Sequence, residues 1–358
     1  MKTIALILTS AVALAGPGPD VAPRSHATAG PGDGVQDPIR VVATLPAYAE
    51  IAAEVGGDLV ETDAIADPAE DAHFVRPKPS FALRIRRADV FITTGLDLEL
   101  WVPALLDKAG NAGVMEGGRG YVTAYTGVEL RDIPEATDRS EGDIHIYGNP
   151  HIFTDPLNMI QVAENIATGL KRVAPQHAAT FDANVAAFAD RTYRRLYGDR
   201  LVELLEGPTL AELDRQGRLL PFLEGQEYEG VPLIDYLGGW HADAAPFRGR
   251  QIICYHKNWA YFEARFAVTC AEYVEAKPGI PPTPGHVGDL INLMRDQGID
   301  VLLAANYFDG SQVRAVARRA GATPVIVPLQ PGATEDTDSY FETVDAWIRS
   351  LAAAFEGS

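Results

Sequence analysis

Residues 40–65 read RVVATLPAYAEIAAEVGGDLVETDAI, and this stretch sets the pattern of the whole fold. Its two ends, 40–45 and 59–65, are rich in β-branched residues and predict strands, whereas the alanine-rich segment 47–55 predicts a helix. A strand, a helix and a second strand in this order form a βαβ unit, which predicts a parallel sheet with right-handed crossovers. The series continues with a helix over 80–87, a strand over 89–94 and a helix over 98–109, and the stretch over 117–134 is predicted to be strand-like.

The same alternation returns in the second half of the chain and predicts a second lobe. We expect strands over 250–255, 268–274, 300–305 and 324–327, and helices over 258–267, 286–297, 311–320 and 339–354. The predicted fold class is therefore α/β, with two parallel-sheet lobes that span 39–175 and 207–358. Residues 209–249 fit neither series of elements and are predicted to be an elaborated loop region.

A long helical segment, 176–206, separates the two predicted lobes. Phe181, Val185 and Phe188 recur at helical spacing, and the segment contains no proline. As one helix it would reach about 45 Å, long enough to be a rigid connection between the lobes. Gly198 leaves open whether the helix is continuous, because a glycine inside a helix costs ~1 kcal/mol.

The first residues predict export from the cytoplasm. Lys2 is followed by an apolar run over 4–15 that ends in the small-x-small pattern of a cleavage site, so residues 1–15 predict a secretory signal peptide. The alternative, a buried N-terminal helix, is disfavoured by the glycines and prolines that follow at once. Residues 16–38 are rich in glycine, proline, alanine and aspartate and predict a disordered leader. No cysteine follows the apolar run closely, so we expect a soluble periplasmic protein that is not lipid-anchored.

Charge and cysteine content narrow the possible partners and compartments. The chain carries 49 acidic and 30 basic residues, a formal net charge of −19. Such a surface repels nucleic acid and anionic lipid and mildly concentrates cations, so we expect no nucleic-acid partner. The only cysteines, Cys254 and Cys270, favour a disulfide in an oxidising compartment, with two buried free thiols as the alternative.

Three histidines lie in local settings that suit a metal site. The segments are Asp71-Ala72-His73, Asn149-Pro150-His151-Ile152-Phe153-Thr154-Asp155-Pro156 and Tyr255-His256-Lys257-Asn258-Trp259-Ala260-Tyr261-Phe262. Each histidine follows a predicted strand or precedes a helix, which is where open α/β sheets collect their ligands. Neutral imidazole is a common zinc ligand, although a single loop histidine is more often bonded to backbone or water. The separations are too long for a zinc finger or an HExxH helix, so only the fold can bring these rings together.

The ordered set of segments resembles the cluster A-I solute-binding proteins of zinc and manganese ABC transporters. The resemblance covers nearly the whole chain after the leader, and it also includes Gly95–Glu99, Lys277–Leu290 and Asp338–Tyr340. It implies two α/β lobes bridged by a long helix, with the metal in the cleft between them. The ligands that it implies are His73, His151 and His256. We expect a monomer that is not an enzyme and that has an ABC transporter permease as its partner.

The chain departs from this family at the expected fourth ligand. Relatives often have an aspartate late in the C-terminal lobe, where this chain reads Val327-Pro328-Leu329-Gln330, and a glutamate where it has Ala305. The histidine-rich loop of many zinc members is reduced here to His145, within residues 135–149. The fourth position is therefore open to water, to His241 or to a carboxylate.

Three nitrogen ligands favour Zn2+ over Mn2+, because manganese prefers oxygen donors and more of them. The main hypothesis is a periplasmic receptor that binds zinc and delivers the ion to an ABC permease for uptake. Three histidines with an open position also suit a zinc hydrolase, but the nearest acidic residue, Asp71, lies in no known catalytic motif. A third hypothesis is an exported metal-binding adhesin or chaperone.

Overall fold

The computed structural model describes residues 37–134, 145–275 and 279–356. The predicted signal peptide over 1–15, and nearly all of the predicted leader over 16–38, lie outside these residues. From Pro38 onward the chain forms one unit. Within the described ranges, no helix combines the length and the apolar character needed to cross a membrane.

The first sheet has four parallel strands in the order β2-β1-β3-β4. The strands are β1 (Ile39–Ala43), β2 (Val60–Ala64), β3 (Val90–Thr93) and β4 (Tyr121–Thr123), and the helices among them are α1 (Pro46–Gly56), α2 (Pro79–Arg87) and α3 (Val102–Ala109). A proline occupies the first turn of each helix, where its missing N–H removes no hydrogen bond. Strand β3 is buried at every position, as expected inside a parallel sheet that is covered on both faces.

Two predicted elements of this lobe are shorter in the structure. The helix predicted over 98–109 begins only at Val102, because Glu99 turns its carboxylate into the core. This carboxylate accepts hydrogen bonds from the Thr44 hydroxyl at 2.5 Å and from the Thr94 N–H at 2.9 Å. The strand-like stretch over 117–134 contains only β4, since the glycines that flank it have positive φ angles, which extended strands do not have.

The helix predicted over 176–206 is broken at Gly198. After α4 (Pro156–Val173), the chain forms α5 (Ala178–Tyr197) and then a separate short helix, α6 (Asp199–Leu205). Gly198 has a φ of +84°, and a Cβ atom on it would lie 2.8 Å from the Cα atom of Gly238. The Gly238 N–H donates to the Tyr197 carbonyl at 2.9 Å, so the helix ends where a later backbone segment docks against it. Helix α5 alone is about 30 Å long, and it packs against α1 and α4.

Residues 209–249 form helices and a hairpin rather than the predicted loop region. They contain most of α7 (Gly207–Arg215), all of α8 (Leu219–Gly225), the antiparallel pair β5 (Glu227–Tyr228) and β6 (Val231–Pro232), and α9 (Gly239–Asp243). These helices have 9, 7 and 5 residues, too few for a clear periodic pattern in the sequence. Leu210, Leu223 and Trp240 anchor the region in the core.

The second sheet repeats the parallel arrangement, in the order β10-β9-β7-β8. Its elements in chain order are β7 (Gln251–Cys254), α10 (Ala260–Phe266), β8 (Thr269–Tyr273), α11 (Pro284–Gln297), β9 (Val301–Ala305), α12 (Gly310–Ala320), β10 (Thr323–Val327) and α13 (Tyr340–Glu356). Cys254 and Cys270 form the favoured disulfide, which joins β7 to β8 with a Cα–Cα distance of 5.4 Å. The predicted fold class, two parallel-sheet α/β lobes, is confirmed.

The two segments that carry His151 and His256 are in direct contact. The Tyr261 hydroxyl donates to the Asn149 carbonyl at 2.6 Å. Behind this contact, the Arg265 guanidinium in α10 makes two hydrogen bonds, of 2.9 and 2.8 Å, to the Asp155 carboxylate at the start of α4. The lobes are therefore joined by polar contacts immediately beside the three histidines.

Candidate metal centre

His73, His151 and His256 each lie at the entry or exit of a regular element. His73 is in a short 3-10 turn in the connection after β2, His256 follows β7, and His151 precedes the 3-10 turn that leads into α4. Side-chain oxygens hold two of these turns, because Asp71 accepts from the His73 N–H and Asn149 accepts from the His151 N–H, both at 3.0 Å. The positions agree with the rule that ligand sites in parallel sheets lie beyond the ends of the strands.

The structure brings the three predicted histidines together from distant parts of the chain. The ring centroids are 5.3 Å apart for His73 and His151, 5.6 Å for His73 and His256, and 5.8 Å for His151 and His256. One nitrogen of each ring lies within 4.8 Å of those of the other two. Two nitrogens bound to one tetrahedral zinc ion are roughly 3.4 Å apart. Small shifts of the side chains are therefore enough to bring the three nitrogens within bonding distance of one ion.

Each of the three rings is oriented by an oxygen atom at its Nδ1. The partners are Asp71 for His73 at 2.7 Å, Asn149 for His151 at 2.8 Å and Glu275 for His256 at 2.5 Å. An acceptor at Nδ1 keeps the ring proton on that nitrogen and leaves the lone pair of Nε2 free. The arrangement therefore leaves three Nε2 lone pairs available to a metal ion.

His151 is the most buried of the three rings. The residue is 2% exposed, and its Nε2 has no hydrogen-bond partner among the described residues. Burial lowers the pKa of His151 well below its usual value, and the neighbouring His73, His256 and His145 lower it further. The ring is therefore neutral at physiological pH. Its Nε2 lone pair, which no described protein group occupies, is available to a metal ion or a water molecule, as expected of a metal ligand.

A small cavity of about 10 Å³ lies beside the rings. His73, His151, Phe153, Tyr307 and Gln330 are among the residues that line it. A space of this size holds about one water molecule. The cavity is therefore of a size for a single ion or water molecule.

A fourth histidine, which the sequence did not suggest as a ligand, reaches the cluster. The Nε2 of His145 is 3.1 Å from the Nε2 of His73, and its ring centroid is 6.0 Å from that of His151. Burial, and then the neighbouring His73 and His256, lower the pKa of His145 to about 3. The sequence gives little indication of this role, because His145 is the single histidine of the polar stretch 135–149 and no other potential ligand lies near it at a spacing typical of a metal site.

His241, one of the candidates for the fourth ligand, belongs to a different cluster. Its Nε2 bonds to the Asp214 carboxylate at 2.8 Å, and its ring stacks on Tyr197 with a centroid distance of 5.5 Å. Asp214 also accepts from Arg265 at 2.9 Å, so His241 is part of a buried charged network. The structure therefore removes His241 from the candidate ligands.

Replacing Glu275 with alanine is expected to weaken metal binding by about 10- to 100-fold, the range typical of oxygen partners that orient a ligating histidine. The change removes the oxygen that holds the His256 ring, while all three candidate ligands remain. Calorimetric titration with zinc measures the effect. Glu272→Ala, at an exposed position of β8, is the matched control and should bind zinc as the wild type does. Equal affinities of the two variants would contradict an orienting role for Glu275.

The fold places the chain among two-lobed α/β proteins, and a family match narrows the class to the substrate-binding proteins of metal ABC transporters. The model of the ZnuA family, described as "Zinc-uptake complex component A periplasmic", matches residues 41–194 and 240–354. The chain belongs to this family. The residues between the two matched segments, 195–239, contain α6, α7, α8 and the β5-β6 hairpin.

Named relatives of this chain carry different metals. The iron-binding protein YfeA of Yersinia pestis is 23% identical over 323 residues, which cover 88% of this chain and 86% of that protein. The manganese ABC transporter substrate-binding lipoprotein PsaA of Streptococcus pneumoniae is 22% identical over 321 residues, with 88% of each chain covered. The zinc-binding lipoprotein AdcA of Streptococcus pneumoniae is 26% identical over 332 residues, which cover 88% of this chain and 62% of that protein. These names are those of metal-binding and substrate-binding proteins, not of enzymes.

Solved structures support the fold. A crystal structure of ZnuA has a TM-score of 0.64 at 18% identity and covers 89% of this chain and 100% of that chain. The structure of a manganese-bound periplasmic metal-binding protein from candidatus liberibacter asiaticus has a TM-score of 0.60 at 15% identity. It covers 88% of this chain and 99% of that chain. The family thus binds divalent metals, with zinc, manganese and iron among them.

Proposed function

We propose that the chain is a periplasmic zinc receptor that captures Zn2+ with His73, His151 and His256 and delivers the ion to an ABC permease for uptake. The observation that carries this proposal is the meeting of the three rings, with an oxygen atom at the Nδ1 of each. Such a set offers three nitrogen donors in a site that is largely closed to water, which suits zinc.

The donor set favours zinc over manganese or iron. Nitrogen ligands suit zinc, whereas manganese prefers oxygen atoms and a higher coordination number. The carboxylates nearest to the rings, Asp71 and Glu275, are bonded to Nδ1 atoms and so orient the ligands. Gln330 lines the cavity, and its amide oxygen already accepts from the Ala47 N–H at 3.1 Å. Oxygen donors for manganese are therefore scarce at this site.

Three observations support an exported monomer. Residues 1–15 have the features of a signal peptide. The disulfide between Cys254 and Cys270 suits an oxidising compartment, and the description of the family includes the word periplasmic. One chain supplies both lobes and all three rings, so the site needs no second copy.

A zinc hydrolase fits the geometry less well. Catalysis at zinc needs an open coordination position, room for a substrate and a general base. The cavity of about 10 Å³ offers no such room, and the nearby carboxylates are held by histidine Nδ1 atoms.

An adhesin or chaperone would use the same lobes without transport. Loss of zinc accumulation in cells that lack this chain, with the permease intact, separates a transport receptor from both alternatives.

The direct test is the metal content of the purified chain. We expect one zinc ion per chain for the wild type, and zinc should displace manganese in competition. His256→Ala should lose this ion because it removes one of only a few ligands, whereas His177→Ala, in the turn before α5, should retain it. Undiminished zinc in His256→Ala, or esterase activity that depends on the bound zinc, would contradict the proposal.

A further inference from the structure

We propose that His145 is the fourth metal ligand of this chain, so that residues 145–149 close an all-nitrogen site over the ion. The inference rests on the proposed function, because it concerns the same site and the same cargo. It goes further by naming the residue that completes the coordination and sets the choice of metal.

The distance between two nitrogens is the first argument. The Nε2 atoms of His145 and His73 are 3.1 Å apart, close to the roughly 3.4 Å between two ligands of a tetrahedral zinc ion. The Nδ1 of His73 bonds to Asp71, which leaves the Nε2 lone pair of His73 facing His145. Two ring nitrogens at this separation can both bind one metal ion.

The backbone around His145 is the second argument. The Gly148 N–H donates to the His145 carbonyl at 3.1 Å and closes a four-residue turn, and the Asn149 N–H donates to the Arg131 carbonyl at 2.8 Å. Gly148 has a φ of +124°, and a Cβ atom there would lie 3.1 Å from the Arg131 carbonyl oxygen. Because Asn149 also orients the ring of His151, one short segment positions both His145 and His151.

The exposure of the rings is the third argument. His151 and His256 are 2% and 4% exposed, and the side chain of His73 is 8% exposed, so all three rings are nearly closed to solvent. The ring of His145 contacts that of His73, with a centroid distance of 5.1 Å. Tyr147, two residues further along the same turn, is 56% exposed, so the turn lies between the cluster and solvent. His145 thus contacts the cluster from its solvent side, where its ring adjoins those of His73 and His151.

A fourth nitrogen has a consequence for the choice of metal. Four nitrogen ligands satisfy tetrahedral zinc, whereas manganese and iron(II) favour sites with oxygen ligands and higher coordination numbers. His241 and Gln330 are both bonded to other groups, whereas the Nε2 of His145 lies against a ring nitrogen of the cluster. As the fourth ligand, His145 therefore favours zinc.

X-ray absorption at the zinc edge tests the proposal on the full chain loaded with one zinc ion. We expect four imidazole nitrogens around zinc in the wild type, and three nitrogens with one water oxygen in His145→Ala. The affinity of this variant for zinc should fall by about 10- to 100-fold. His145→Asp should narrow the ratio of zinc to manganese affinity, because it supplies an oxygen ligand. Tyr147→Ala, in the same turn, is the control and should match the wild type.

The possible outcomes separate this inference from the proposed function. Three nitrogens and one oxygen in both the wild type and His145→Ala, with equal affinities, would overturn the role of His145 and leave the three-histidine receptor intact. A wild type that binds no zinc would overturn both. Urea unfolding of the metal-free proteins distinguishes a lost ligand from misfolding, and we expect the same midpoint for His145→Ala and Tyr147→Ala.

Discussion

Replacing His151 with alanine is expected to weaken zinc binding by at least about 100-fold. Structural zinc sites with four ligands bind with about 10–16 kcal/mol, so one ligand contributes roughly 3 kcal/mol, and each 1.4 kcal/mol is a factor of about ten. His151 should reach this value because its Nε2 is buried without a partner among the described residues and its ring needs no deprotonation at neutral pH.

The loss of affinity is measurable through zinc-linked stability. At a zinc concentration 100 times the wild-type Kd, binding raises the free energy of unfolding by about 2.7 kcal/mol. A variant with a Kd 100-fold larger gains only about 0.4 kcal/mol at the same concentration. Urea unfolding with and without zinc gives both values, and His177→Ala should behave as the wild type. An equal gain for His151→Ala and the wild type would exclude His151 from the site.

Replacing Arg265 with alanine is expected to lower the free energy of unfolding by about 3–5 kcal/mol, the cost of removing one partner from a buried ion pair. The guanidinium is 8% exposed and bonds to both oxygens of Asp155, at 2.9 and 2.8 Å, and to Asp214 at 2.9 Å. The variant leaves two buried carboxylates without their cation. Arg194→Ala, which breaks an exposed pair with Asp190, should change the free energy of unfolding far less, because surface ion pairs contribute little.

The pH dependence of this loss has a definite sign. Burial acts to raise the pKa of Asp214, but His241 and Arg265 outweigh it and hold the pKa below its usual value. The ion pair between Asp214 and Arg265 therefore stabilises the folded wild type at pH values above the usual carboxyl pKa. This stabilisation is lost as the pH falls through the lowered pKa of Asp214. The difference in stability between the wild type and Arg265→Ala should shrink on acidification below about pH 4. A difference that stays constant from pH 7 to pH 3 would contradict this account.

Much of the fold could be predicted because the signal is local. Strand β9 lies within the predicted 300–305, since β-branched and apolar runs between helical patterns identify buried parallel strands. The break at Gly198 was not predictable in the same way. It depends on the backbone of Gly238, forty residues later, which docks against the end of α5. The short helices in 209–249 escaped prediction because each has too few residues to show a periodic pattern.

The candidate site also contains residues that could be predicted from the sequence and residues that could not. His73, His151 and His256 could be predicted to converge because each adjoins a strand end or a helix start, and the fold brings such points together. His145 has no such neighbour, and only its distance of 3.1 Å to His73 in the folded chain reveals it. His241 lies in the C-terminal half of the chain, as the expected fourth ligand does, but its ring is hydrogen-bonded to Asp214. The two residues are 27 positions apart, and no sequence spacing indicates their pairing.

The hydrogen bonds of Asn149 link the two lobes at the candidate metal site. Its Oδ1 orients His151, its Nδ2 donates to the carbonyl of Lys257 at 2.9 Å, next to His256, and its own carbonyl accepts from Tyr261. A single amide residue thus couples a ligand of one lobe to the chain that carries a ligand of the other. Under the proposed function, a separation of the lobes would move His151 and His256 apart together with their segments, without a separate rotation of either ring.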